Sequence, residues 1–588
     1  MKGFFKTLLT SMLGVIIAFA IIAVLVVAIV SAIVSSQESP AEIKNNSTYI
    51  LKLDREIHDR EPADPFAAFN PMDLEGHWAM GLTEILTTIQ RAKESEQIKG
   101  IYLNLSYIPA GMATVEEIRR ALIGFKESGK FIVAYGEFFT QKAYYLATVA
   151  DNLYLNPEGA AEFKGLNAQV LFLSETLKKL GIEPQVIRHG KFKGAVEPFI
   201  RKDLSEENKM QLSMLVNDIW DGMLDDIAAS RGISKEQLIA LSSDLTKTNL
   251  AEKLLSAKLI DGLKYEDEVY EEIKQLSGMP NKKEPQFAHY NQLKKCQPTA
   301  RKRLAKDKIA VVYASGTVQG GKEGEGTVSS ERIAQTIRQA RADSAIKAIV
   351  FRVNSGGGSS LASEVIWREL WLAKQVKPVV ASIGDMAASG GYYILCPADS
   401  ILINRSSITG SIGVFGLMFN FQDFFNEKLG FQFDGVLTNP GADFPSLSRP
   451  LNASETKAIE QGVDKVYETF IKHVSEARNL SVSEVDSIGQ GRVWSGAASV
   501  ANGLTDNFGG LTEAIALAAK KANTDYYRVT NLPKQDEPLQ LLMNKISEEA
   551  SVKHTRKILN MLPHGKTVQA LLNNKGVVAL MPFVIDIQ

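Results

Sequence analysis

"IKAIVFRVN", Ile346–Asn354, has a counterpart 248 residues upstream (346 − 98) in "IKGIYLNLS", Ile98–Ser106. Both read as buried strands, apolar and rich in β-branched residues with few polar interruptions. The same offset aligns Tyr144-Tyr145 with Tyr392-Tyr393, Ala150-Asp151 with Ala398-Asp399, and Asn156 with Asn404. Further upstream, "LDREI" and "YASGTV" pair at a larger offset, which places an insertion in the first copy near "REPADPFAAFNPMDLEGHW". Several matches in one register argue for two copies of one unit.

Each copy alternates strands and helices. In the second, "KIAVVYA", "AIKAIVFRV", "KPVVASI" and "SILINR" read as strands, and "LASEVIWRELWLAKQ" as an amphipathic helix. "SGGYYILCPA" reads as a further helix. Strands separated by helices imply parallel pairing with right-handed crossovers, hence an α/β fold. The expected organisation is an amino-terminal stub and anchor over 1–45 and a first repeat over 46–280. A Lys-, Pro- and Gln-containing joint follows over 281–308, then a second repeat over 309–530 and an extension over 531–588.

With 588 residues, 45% hydrophobic and 23% charged, the chain is globular and too long for one core. A formal net charge of −1, with no basic recognition helix, excludes a nucleic-acid partner. Lys2 and Lys6 precede an apolar run from Leu8 to Val34, 27 residues (34 − 8 + 1). As a helix it would span roughly 40 Å, enough to cross a bilayer, and longer than the apolar region of a cleaved signal peptide. Basic residues before the run and Glu38 after it orient the remainder of the chain outside the cytoplasm. The two cysteines, Cys296 and Cys396, make neither a disulfide framework nor a metal site, and a single bridge stays open. No cofactor is implied.

Ser389, in "SIGDMAASGGYYI", is the candidate nucleophile, yet a hydroxyl alone is a poor one and needs a base. Subtracting the offset lands on Gln141, so the first copy lacks the serine. Conversely "RHGKFKGAVEPF" in the first copy holds Lys193, whose counterpart after a one-residue drift is Ala442. A lysine acts as a general base if burial lowers its pKa toward neutrality. The small and apolar residues after Lys193 suit that role, although spacing alone favours reading it as one of several surface lysines, with Lys191 two positions away. "VNSGGGSSLASE" offers backbone amides of Gly357 and Gly358 for an oxyanion, and Gly390 adds one beside Ser389. No Gly-Lys-Ser/Thr follows these glycines, which excludes a Walker loop. Ser411, in "SSITGSIGVFG", could support the lysine or simply form a turn.

A histidine triad fits less well. None of the seven histidines lies in the second copy's core motifs, and Ala387 breaks the Gly-x-Ser-x-Gly pattern. His189, four residues before Lys193, is either a supporting partner or a loop residue.

"VNSGGGSSLASEVI", "MAASGGYYI", "TGSIGVFG" and "FKGAVEPF" resemble the signal peptide peptidase A family, also called protease IV, in its double-length bacterial form. The resemblance runs from the anchor to about Leu511. It implies tandem domains of the caseinolytic-protease and crotonase type, and a membrane-anchored homotetramer. It also implies a Ser389/Lys193 dyad supported by Ser411. Its expected substrates are signal peptides left in the membrane and other apolar peptides; its expected place is the bacterial inner membrane, single-pass, with the catalytic domains periplasmic. Gly356 stands where that family usually has proline, which keeps the amides but loosens the turn. Phe192 and Gly194 replace the usual neighbours of the lysine. Two rival readings remain at this stage: a crotonase-type acyl-CoA enzyme, and a non-catalytic membrane scaffold of the same fold.

Overall fold

A computed structural model of the chain describes residues 42–62, 79–296, 305–322, 326–535 and 577–580, with isolated positions between 3 and 21. The apolar run Leu8–Val34 lies largely outside the described residues, among which no helix is long and apolar enough to cross a membrane.

The first repeat contributes β1 (Ser47–Leu51), β2 (Ile57–His58), β3 (Met80–Gly81), β4 (Ile98–Asn104), β5 (Phe131–Phe139), β6 (Asn152–Ala161), β7 (Glu183–His189), β8 (Gly262–Leu263) and β9 (Phe287–Ala288). In the second, β10 (Asp307–Ser315), β11 (Thr317–Gln319), β12 (Thr327–Ser329), β13 (Ile346–Ser355), β14 (Gly357–Ser359) and β15 (Val379–Ala388) come first. They are followed by β16 (Ser400–Ile403), β17 (Ile408–Gly410), β18 (Val414–Asn420), β19 (Val493–Ser495), β20 (Asn507–Phe508), β21 (Tyr527–Leu532) and β22 (Val577–Leu580).

The duplication is visible in the sheets. The first runs β8-β6-β5-β4-β1-β9, every pair parallel, and the second repeats that order as β20-β16-β15-β13-β10-β21. Gly100 pairs with Thr48 as Ala348 pairs with Ile309, so the offset is 248 at the inner strand and 261 (309 − 48) at the outer one. The insertion expected in the first copy therefore falls between β1 and β4, part of it outside the described residues. Strands β4 and β13 are nearly continuous apolar runs because helices cover a parallel sheet on both faces. The helix Ser360–Lys374 shows how: Ser359 caps it by accepting from Ala362 N, and Ala362, Ile366, Leu370 and Ala373 form its buried stripe.

Residues expected to join the copies partly belong to the first one. Strand β9 edges its sheet, and Arg91 donates to the carbonyls of Leu293 and Lys294 at 2.8 and 2.6 Å. Residues near 531–588 likewise contribute: β21 extends to Leu532 beside β10, and β22 enters a third sheet. Cys296 and Cys396 are both free thiols.

The repeats meet through buried polar groups. Arg352, on β13 and fully buried, reaches Asp59 Oδ1 at 2.7 Å and Glu117 Oε1 at 2.8 Å, both from the first repeat. Glu117 also accepts from Asn404 Nδ2 and from Leu511 N, while Asp385 accepts from Thr114 N and Oγ1. Removing one partner of such a buried pair costs about 3–5 kcal/mol, because the other charge is stranded. The third sheet, β12-β11-β14-β22-β18-β7, also crosses the boundary: β7 of the first repeat pairs antiparallel with β18 of the second, His189 opposite Val414 and Glu183 opposite Asn420.

Candidate active site

Strand β15 delivers Ser389 into a sharp turn. Its φ of 55° and ψ of −120° lie where a non-glycine residue rarely sits, at a cost of about 1–3 kcal/mol. Two backbone bonds hold it there: Ser389 N donates to Gly410 O at 2.8 Å, and Tyr393 N donates to Ser389 O at 2.9 Å, opening the helix Gly390–Leu395. Gly391 has no side chain for a steric reason, since a Cβ there would stand 2.3 Å from Ser355 O.

Lys193 arrives from the other repeat. Four residues beyond the end of β7 it enters a pocket formed by the 411–413 and 489–493 segments. Phe192 N donates to Gln490 O at 3.0 Å, and Gln211 Nε2 donates to Phe192 O at 3.2 Å. Gln211 Oε1 in turn accepts from Val493 N at 3.1 Å, so one side chain ties the lysine loop to the second repeat. Gly491, at φ 82°, lets the backbones touch: a Cβ there would lie 2.7 Å from Lys193 Cα.

Within this single chain the lysine and the serine meet. Lys193 Nζ is 2.8 Å from Ser389 Oγ, 3.0 Å from Ser411 Oγ and 3.2 Å from Ser411 O. All three residues are fully buried. Burial alone pushes the Lys193 ammonium well below the ordinary lysine value, with no carboxylate opposing it. Three polar contacts suit a neutral amine: two N–H donors for the Ser411 oxygens and a lone pair that accepts the Ser389 hydroxyl proton. Such an arrangement can deprotonate a nucleophile and return the proton to a leaving group.

The glycines divide. Gly390 opens the helix after Ser389, its amide adjoining that serine. The Gly357 amide donates to Ser355 Oγ at 3.1 Å, and Gly358 is in the third sheet, where a Cβ would meet Val318 O at 2.0 Å. His189 is placed away from the serine's contacts: its Nδ1 lies 2.7 Å from Asp464 Oδ1 and its ring stacks on Tyr467 at 4.0 Å. Gln211 and the Gln490-Gly491 turn are the functional neighbours that sequence reading missed. The only local sign was "GQGRV", two glycines around a polar residue ahead of a strand. No group of acidic, histidine or cysteine side chains among the described residues could hold a metal.

The profile of "Peptidase family S49" matches residues 124–279 and 372–525, the first span containing Lys193 and the second Ser389 and Ser411. The chain belongs to peptidase family S49. "Protease 4" of Salmonella typhi is 36% identical over 84% of this chain and 78% of its own length. "Serine protease SPPA, chloroplastic" of Arabidopsis thaliana is 34% identical over 80% and 70%. "Protease 4" of Haemophilus influenzae is 34% identical over 75% and 73%. As an S49 member spanning both repeats, the chain is a serine peptidase, and the acyl-CoA and scaffold readings fall. A ClpP1 mutant of Listeria monocytogenes matches 35% of the chain and 94% of its own at 13% identity and a TM-score of 0.24.

Proposed function

We propose that this S49 peptidase works through a Ser389/Lys193 dyad, with Ser411 orienting the lysine. The 2.8 Å contact between a buried, unpaired lysine amine and the serine hydroxyl is the observation that supports it. Neutral Lys193 takes the proton as Ser389 Oγ attacks a peptide carbonyl, and the amides of Gly390 and Gly357 receive the oxyanion, the latter by exchanging Ser355 Oγ for the substrate. Lys193 then protonates the departing amine, leaving an acyl-enzyme. Water, deprotonated by the same amine, releases the acid and restores the serine.

The substrates we assign are apolar peptides, signal peptides above all, reached by an enzyme tethered through its amino-terminal run with the repeats outside the cytoplasm. A fluorophosphonate probe should label the parent chain at Ser389, seen by peptide mass mapping. Labelling that persists undiminished in Ser389→Ala would end the assignment.

The assembly we assign is a homotetramer, built head to tail. Applying the 248-residue offset, the counterpart of β7 is 431–437 and that of β18 is 166–172. Neither segment belongs to a sheet in the chain. Phe431 and Phe433 are 54% and 59% exposed, and Val436 is fully so. A second copy would supply the missing partner for each, and a heterologous contact of that kind closes into a ring. Light scattering should give a tetramer for the parent and a smaller species for Phe433→Asp; a parent that is monomeric at micromolar concentration would sink this assembly.

A further inference from the structure

The 489–493 segment touches both backbones on which the Lys193 amine depends. Toward the lysine, Phe192 N donates to Gln490 O at 3.0 Å, and the chains approach so closely that a Cβ on Gly190 would stand 2.4 Å from that same oxygen. Toward the serine that faces the amine, Gly491 N donates to Ile412 O at 2.7 Å and Ser411 N donates to Arg492 O at 2.6 Å. Where this turn sits therefore sets how Lys193 meets Ser411.

The turn needs holding, because Gln490 has a φ of 51°, which glycine adopts freely and a glutamine rarely does. Two helices supply the hold. Tyr467, buried on the helix Ala453–Arg478, accepts from Gln490 N at 3.2 Å and donates its hydroxyl to Asp486 Oδ1 at 2.5 Å. Asp486, on the helix Val482–Ile488, accepts from Gln490 Nε2 on its other oxygen at 3.2 Å. Burial and the carboxylate beside it push the Tyr467 phenol well above its ordinary pKa, so it keeps the proton it donates. His189, four residues before Lys193, stacks on the Tyr467 ring while it pairs with Asp464, and so joins the same support. We infer that Tyr467 and Asp486 are positioning residues for Lys193: they hold the Gln490 turn, and through it keep the amine aimed at Ser389 and Ser411. This role rests on the dyad reading and adds what fixes its lysine.

Tyr467→Phe deletes the hydroxyl and keeps the ring under His189. With its anchor gone the turn relaxes, the amine drifts from the serine, and water reaches it. On a fluorogenic apolar peptide kcat is expected to fall about tenfold with KM little changed. The acid limb of kcat/KM should move up by about half a pH unit or more, since a wetter lysine titrates nearer its ordinary value. Asp486→Ala leaves Tyr467 intact and is a second route to the same two changes. Asp486→Asn keeps an oxygen for the Tyr467 hydroxyl, and Gln490 can turn its own oxygen to the new amide, so kcat should stay within about threefold of the parent. Parent-like kcat in both Tyr467→Phe and Asp486→Ala, whatever their unfolding temperatures, overturns the inference. A fall in kcat with the acid limb unmoved overturns it too, because a purely structural loss leaves the setting of the amine as it was. Lys193→Met, assayed alongside, separates the two readings. Normal turnover there removes the dyad and this role with it, whereas an inactive Lys193→Met beside a parent-like Tyr467→Phe removes this role alone.

Discussion

Gln141 and Ser389 occupy equivalent places in the two repeats, and their surroundings differ in one respect. The first repeat fills its pocket from within. Gln141 Oε1 accepts from the amides of Lys164 and Gly165, both at 3.0 Å, and Nε2 donates to Gly165 O at 2.9 Å. In the second repeat the shorter serine leaves that space open, with Oγ 3.5 Å from Gly413 O, and Lys193 fills it with its Cδ beside Gly413. The backbone follows the chemistry. Gln141 starts its helix with ordinary geometry, whereas Ser389 sits at positive φ. Positive-φ strain accompanies the serine and is absent where a satisfied carboxamide stands in the equivalent place.

The sharpest way to break this comparison is to remove either half of the occupied pocket. Ser389→Ala and Lys193→Met are each expected to lower kcat/KM for a peptide substrate by about a thousand-fold or more; normal turnover in either would dissolve the dyad. Ser411→Ala leaves the amine in place with one partner fewer. Its kcat should drop about 10- to 100-fold with KM little changed, and a KM effect without a kcat effect would assign Ser411 to substrate binding.

Acidity sharpens the same contrast. Lys193 is a base only when neutral, and burial depresses its folded pKa, so kcat/KM should climb about tenfold per pH unit below that pKa and level off above it. The sign for stability is the same. Between the lowered pKa and the ordinary lysine value the unfolded chain holds a proton that the folded chain does not, so stability rises with pH there. That slope should vanish in Lys193→Met, as followed by denaturant unfolding across pH. In the silent repeat, Gln141→Ser should restore no activity to the Ser389→Ala chain, because Ala442 stands where a lysine would be needed. It should also cost up to about 1 kcal/mol by removing the acceptor shared by two amides that are only part-buried. Unchanged stability would mean that the carboxamide is not what closes the first pocket.

Much of the fold is legible as pattern. The 248-residue offset locates both strand cores, and the parallel sheets follow from strands alternating with helices. Ser389 and Lys193 were both reachable from the asymmetry between copies, since each repeat lacks what the other has. Gln211 and Gly491 were not, because neither carries chemistry and each matters only through a single cross-repeat approach. The joint between repeats was read too broadly for a related reason. Polar composition near 281–296 marks surface, and surface segments can still add an edge strand.

The sequence alone determined the duplicated α/β architecture and the candidate groups of the proposed dyad, because periodicity, repeat register and side-chain chemistry are local properties of the chain. Only the tertiary structure decided that these groups form one site. The antiparallel pairing of β7 with β18 brings Lys193 to Ser389 across 196 residues (389 − 193) of chain. Its depressed pKa exists only there, since desolvation is produced by everything packed around the amine and by no residue within its own motif.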